Sequence, residues 1–138
     1  MKPSNPHVTE GAVRFDPEGS CKPVSEVLQL LEPGTVYGDP ATVKKVLAQR
    51  DRRIGVCLDV GWVTAAGFDA AKVFRDYGDR VFDMHFKDKV VETGANGKAT
   101  PVDTEIGRGS ANYAGLFAAI RDSRWSGVLA IETDSRAF

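Results

Sequence analysis

Histidine and cysteine are scarce in this chain, each occurring twice in 138 residues. Cys21 and Cys57 have no CxxC spacing, and Cys57 lies in a run of strand character. Two reduced thiols are therefore expected rather than a disulfide framework. Long apolar runs are missing as well. No stretch approaches the ~18 residues of a membrane span, and Met1–Pro6 leads into no signal-peptide segment, so a soluble cytoplasmic protein without membrane contact is the expectation. Nor is there an excess of positive charge. Eighteen Lys and Arg face 19 Asp and Glu, for a formal net charge of −1, and the basic residues are scattered. That distribution leaves no electrostatic footprint for nucleic acid and points to a small-molecule ligand.

The chain has the 42% apolar content needed for one buried core. Residues 1–20, rich in Pro, Gly and Asn, read as a poorly ordered lead-in, and residues 21–138 as the folded domain. Val24, Val27, Leu28 and Leu31 fall at helical spacing, which predicts a short helix over 23–31 stopped by Pro33-Gly34. Asp39-Pro40 is an N-cap followed by proline in the first turn, opening a helix to about Gln49. A strand, Arg53–Asp59, follows. Then come a loop over 60–67, a helix over 69–77 closed by Gly78, and an alternating strand over 81–88. Residues 89–109 form a polar, glycine-bearing stretch far longer than the ~2 to 6 residues usual between such elements, and they read as a lid or rim loop. Ser110 is placed to cap a helix holding Tyr113, Leu116, Phe117 and Ile120, and Gly127 opens a last strand. Recurring strand–helix order implies parallel strands joined by right-handed crossovers.

The three strands end alike. RIGVCLD ends in Asp59, VFDMHFKD carries His85, Lys87 and Asp88, and GVLAIET carries Glu132. Alternation would put Val81, Asp83, His85 and Lys87 on one face and Phe82, Met84 and Phe86 on the other. In parallel α/β folds ligands bind at the C-terminal strand edge. Two carboxylates and one imidazole there suit a divalent ion: Mn²⁺, Mg²⁺, Co²⁺ or Zn²⁺. Taken singly, Asp59 could instead cap the next segment, His85 be a satisfied core histidine and Glu132 a solvated rim charge. Their shared edge argues for a joint role. Gly107-Arg108-Gly109 before a helix is a weak phosphate-binding signal.

GVCLDVGW, YGDRVFDMHFKDK, GRGSANYAGLFAAI and VLAIETD resemble the C-terminal part of the xylose isomerase-like TIM barrels, the sugar phosphate isomerase/epimerase group. The resemblance implies about three βα units of a (β/α)8 barrel, with Asp59, His85 and Glu132 as the metal ligands of the sixth, seventh and eighth strands. Glu132 would also be the catalytic acid/base, acting through an enediolate. Trp62, standing where members carry a histidine, would join Lys87, Asp88 and Arg108 at a sugar or sugar phosphate. The first five strands read as absent, with the fifth-strand glutamate falling before Met1, so little activity is expected from this chain alone. Two alternatives go with that: a non-catalytic half-barrel that assembles with another subunit or self-associates through its bare sheet face, and an inosose-type dehydratase. An endonuclease IV-like zinc cluster needs more histidines than His7 and His85.

Overall fold

The computed structural model describes residues 26–30 and 38–132. The expected lead-in, residues 1–20, lies outside them. Four parallel strands, β1 (Glu26–Leu30), β2 (Ile54–Asp59), β3 (Val81–Phe86) and β6 (Val128–Ile131), form one sheet in the order β1-β2-β3-β6. Between them run α1 (Pro40–Ala48), α2 (Val60–Ala65), α3 (Ala70–Tyr77) and α4 (Tyr113–Ser123). A two-stranded antiparallel hairpin of β4 (Asp88–Thr93) and β5 (Ala99–Thr104) stands apart from the sheet. The strands follow one another as an open segment of a barrel, and no barrel closes among the described residues.

Four findings correct the sequence expectations. The segment predicted as a helix over 23–31 is, in its described part, strand β1, in register with β2 from Glu26↔Ile54 to Leu30↔Leu58. Five residues are too few to separate a helical from an extended apolar pattern, and β2, buried from Gly55 to Asp59, needs backbone partners along both its edges. A fourth parallel strand therefore precedes β2, where the sequence had suggested that all earlier strands were absent. The expected loop over 60–67 opens with helix α2, because Asp59 caps it: its Oδ1 accepts the Trp62 N–H at 2.9 Å. The expected lid over 89–109 is largely the β4–β5 hairpin. Asn96-Gly97, with Gly97 at φ +75°, supplies its turn.

The fourth correction concerns β3. The β2–β3 register slips between Val56/Cys57, so that Val56 faces Val81 and Cys57 faces Asp83. A bulge of this kind moves one residue to the other face of a sheet. Val81 thus joins Met84 and Phe86 in the core beneath the helices. Phe82 instead lies over Gly55, where a Cβ would meet its ring at 2.4 Å.

The core lies on one side of the sheet. Val56, Leu58, Val81, Met84 and Phe86 meet Val43 and Leu47 of α1, Val73, Phe74 and Tyr77 of α3, and Tyr113, Leu116 and Ala119 of α4. Helix α3 opens on Asp69, whose carboxylate accepts the Ala71 and Lys72 N–H groups. Helix α4 is capped by Asn112, which accepts the Gly115 N–H at 3.0 Å, rather than by Ser110. Arg80 binds the sheet's N-terminal end, donating to the carbonyls of Ile54 (2.8 Å), Leu47 (2.9 Å) and Asp51 (3.0 Å). The opposite sheet face carries the ionisable groups.

Candidate metal centre

Parallel pairing sets Asp59 against His85 and His85 against Ala130, and the Glu132 N–H extends the ladder by donating to the Phe86 carbonyl at 3.0 Å. The structure thereby brings Asp59, His85 and Glu132 together: each offers a ligand atom within 4.8 Å of the others. Asp59 is fully buried, whereas the His85 and Glu132 side chains are 24% and 35% exposed. The two Asp59 oxygens have separate tasks. Oδ1 caps α2, while Oδ2 is buried without a hydrogen bond among the described residues, as are His85 Nδ1 and Glu132 Oε2. His85 Nδ1 lies 2.8 Å from Glu132 Oε2, a contact close enough for an ion pair yet not aligned as a hydrogen bond. Buried donor atoms in this state are costly unless a cation joins them.

One cation is already close. The Lys87 ammonium, 3% exposed, lies 3.3 Å from Asp59 Oδ2 and 3.2 Å from Glu132 Oε2. Gly61 makes room for its stem, since a Cβ there would fall 2.4 Å from Lys87 Cγ. Burial nevertheless dominates at Asp59 and pushes its carboxyl above the ordinary value, against the pull of the Trp62 N–H and of Lys87. Cys57, on the same face, is pushed up to about 12 by burial and then by the charges of Asp83, Asp59 and Glu132. The donor set of two carboxylates and an imidazole, with three unsatisfied inward atoms, fits a divalent ion.

The remaining predicted residues are spread around this cluster. Trp62, in the first turn of α2, has its ring centroid 5.8 Å from the Lys87 ammonium and 4.2 Å from that of Lys89. Asp88 is fully buried, and its two oxygens accept the N–H groups of Lys89, Gly107, Gly109 and Ala111 at 2.9 to 3.1 Å. A Cβ at Gly109 would lie 2.1 Å from Asp88 Oδ1, so only glycine lets the loop wrap the carboxylate. Both Asp88 oxygens are thus engaged in tying down the rim. Arg108 is exposed, pairs with Glu105 and stands outside the cluster.

Sequence reasoning missed Lys89, which pairs with Asp103 across the hairpin and fixes it over Trp62. The signal was available in Asn96-Gly97 between two alternating runs. It also missed the Tyr113 hydroxyl, which donates to the Lys87 carbonyl at 2.9 Å.

The family described as xylose isomerase-like TIM barrel matches residues 23–137. The chain belongs to this family. No curated protein matches it significantly. Among solved structures, the probable 3-DHS dehydratase AsbF from Bacillus anthracis superposes with a TM-score of 0.65 at 18% identity, covering 80% of this chain and 43% of that one. A xylose isomerase-like TIM barrel protein from Mycobacterium smegmatis in complex with magnesium gives 0.63 at 14%, covering 80% and 38%. D-allulose 3-epimerase from Methylomonas sp. gives 0.60 at 17%, covering 80% and 35%. The chain thus spans about two fifths of the length of these barrels, and its four strands form part of one.

Proposed function

We propose that this chain is the metal-binding part of a sugar or sugar-phosphate isomerase or epimerase that takes a proton from carbon and returns it by way of an enediolate. The observation that carries the reading is the convergence of three buried, unsatisfied donor atoms at the C-terminal edge of parallel strands. Asp59, His85 and Glu132 would hold Mn²⁺, Mg²⁺, Co²⁺ or Zn²⁺. Bound there, the ion supplies positive charge that offsets charge developing on substrate oxygens, worth several kcal/mol.

The chain's own residues do the rest. Glu132, the most exposed of the three, is the proton acceptor and donor, a role that contributes on the order of 10² to 10⁴ in rate. Lys87, held against Glu132, donates hydrogen bonds to substrate hydroxyls, and the Trp62 ring walls that side of the pocket. Arg108, exposed on the rim and paired with Glu105, would have to leave that partner to meet a substrate phosphate. With β1, the neighbour of β2, read as the fifth strand of the family's barrel, Glu32, two residues beyond Leu30 in sequence, is our candidate for the fifth-strand glutamate. Glu32 lies outside the described residues.

A dehydratase is the second reading. The 3.2 Å contact between Lys87 and Glu132 favours it, because a buried ammonium beside a carboxylate can protonate a departing hydroxyl. Either chemistry needs a walled, dry cavity that four strands do not enclose, so the chain alone should exchange little substrate hydrogen. The test is NMR-detected solvent exchange on ketoses with Mn²⁺ or Co²⁺, first with this chain and then with the chain joined to the N-terminal half of a longer relative. Exchange that appears on joining and disappears in Glu132→Gln supports the proposal. Its absence from the joined protein, or indifference to Glu132→Gln, contradicts it.

A further inference from the structure

The inner sheet face carries a second set of donors beside the first. Cys57, Asp83 and His85 each offer a ligand atom, and these too lie within 4.8 Å of one another. Their grouping follows from the register, because Cys57 faces Asp83 one step below the Asp59–His85 pair. Cys57 is 4% exposed, and Asp83 holds the Met84 N–H through Oδ1 at 2.8 Å. His85 Nδ1 is buried without a hydrogen bond.

We propose that Cys57, Asp83 and His85 form a second cation site, selective for Zn²⁺, Co²⁺ or Cd²⁺, which shares His85 with the first and competes with it. A sulfur ligand favours these ions over Mg²⁺ and Mn²⁺, which take oxygen. Metal–ligand bonds of about 2.0 to 2.3 Å in a tetrahedral site put donor atoms roughly 3.5 Å apart, so side-chain shifts of about 1 Å suffice. The fourth position stays open for water. A neutral imidazole has one lone pair on nitrogen, so His85 serves one ion at a time. An ion that enters beside Cys57 therefore removes His85 from Asp59 and Glu132. Entry to the first site meets the Lys87 ammonium, which already occupies the approach to both carboxylates. Traces of these softer ions thus displace Mg²⁺ or Mn²⁺ from the site of the catalytic reading. The competition rests on that reading, whereas the Cys57 site does not.

The test is titration of the full chain with Co²⁺, followed by the near-ultraviolet absorption that a thiolate gives to bound cobalt. The band is expected in the wild type, in Cys21→Ser and in Glu132→Gln. It should vanish in Cys57→Ser, whose fold is checked by circular dichroism. In Asp83→Asn it should persist with affinity lowered by at least the roughly 10-fold that loss of an outer-shell partner costs. That variant keeps the proposal testable if Cys57→Ser does not fold. No band in the wild type, a band that survives in Cys57→Ser, or Asp83→Asn binding as the wild type does, overturns the proposal. A band retained in a Glu132→Gln variant that no longer binds Mn²⁺ separates this site from the first. Loss of Mn²⁺ binding by the wild type, with the band intact, would remove the catalytic reading and leave the Cys57 site standing.

Discussion

The two ends of the parallel sheet use charge in opposite ways. At the N-terminal end, Arg80 gives its guanidinium to three backbone carbonyls, and Asp51 accepts from the Arg53 backbone and side chain. Those charges are exposed or half-buried and their partners are complete. At the C-terminal end, Asp59, His85 and Glu132 turn buried atoms toward one another without hydrogen bonds, with Lys87 between two of them. One end holds the fold together, and the other gathers buried charged groups around the Lys87 ammonium in an arrangement that fits a divalent ion. A stability-driven sequence would have filled the second end with apolar residues, as it did the helix-facing side.

Substitutions can break this contrast. The largest effect is expected at Asp88, the exception, a buried carboxylate at the site end that is fully satisfied. Asp88→Ala leaves four N–H groups without their acceptor and should cost about 3 kcal/mol or more, releasing the rim between Gly107 and Ala111. Denaturant unfolding measures the first, and hydrogen exchange at those amides the second. Next comes Arg80→Met, expected to cost about 2 kcal/mol through three lost charge-assisted hydrogen bonds while Mn²⁺ binding stays as in the wild type. A change in Mn²⁺ affinity there would show that the two ends are not separable.

A smaller effect separates the ends by pH. Asp51 is lowered from 3.8 to about 2, chiefly by its hydrogen bonds from Arg53, so the folded state binds its proton less tightly than the unfolded chain. Its contribution to stability is present above 3.8 and is lost as pH falls toward 2. Asp59 has the opposite sign. Burial raises it above 3.8, so its contribution is present below that value and is lost as pH rises through the raised one. Asp51→Asn should flatten the acid side of a melting-temperature profile. Asp59→Asn, which keeps an oxygen for the Trp62 N–H, should flatten the loss on the rising side and be the more stable protein at neutral pH without metal. Parallel profiles for the two variants would contradict the comparison.

The same contrast explains what could be read in advance. Asp59, His85 and Glu132 were visible because each closes a strand whose alternation the sequence displays, and parallel pairing then brings them level. Asp39-Pro40 announced α1 through cap chemistry, and Gly78 marked the end of α3. The β1 strand was not visible, since Val27, Leu28 and Leu30 satisfy either period over five residues and the neighbouring edge of β2 decides the outcome. The exchange of faces by Val81 and Phe82 depends on a register slip that no local pattern encodes. The hold of Asp88 on the rim was not visible because its partners, Gly107, Gly109 and Ala111, lie about 20 residues away.

We hold that Asp59, His85 and Glu132 gather one buried donor atom each for the sake of a divalent ion. Electron paramagnetic resonance of free Mn²⁺, titrated with wild type, Glu132→Gln and Lys87→Met, tests it most directly. The account predicts that the wild type depletes the free-ion signal and that Glu132→Gln does so far less at unchanged stability. Lys87→Met, relieved of the competing ammonium, should bind more tightly, by about tenfold if the ammonium costs some 1.4 kcal/mol. Equal free Mn²⁺ with all three proteins, or with the wild type and with buffer, would contradict it.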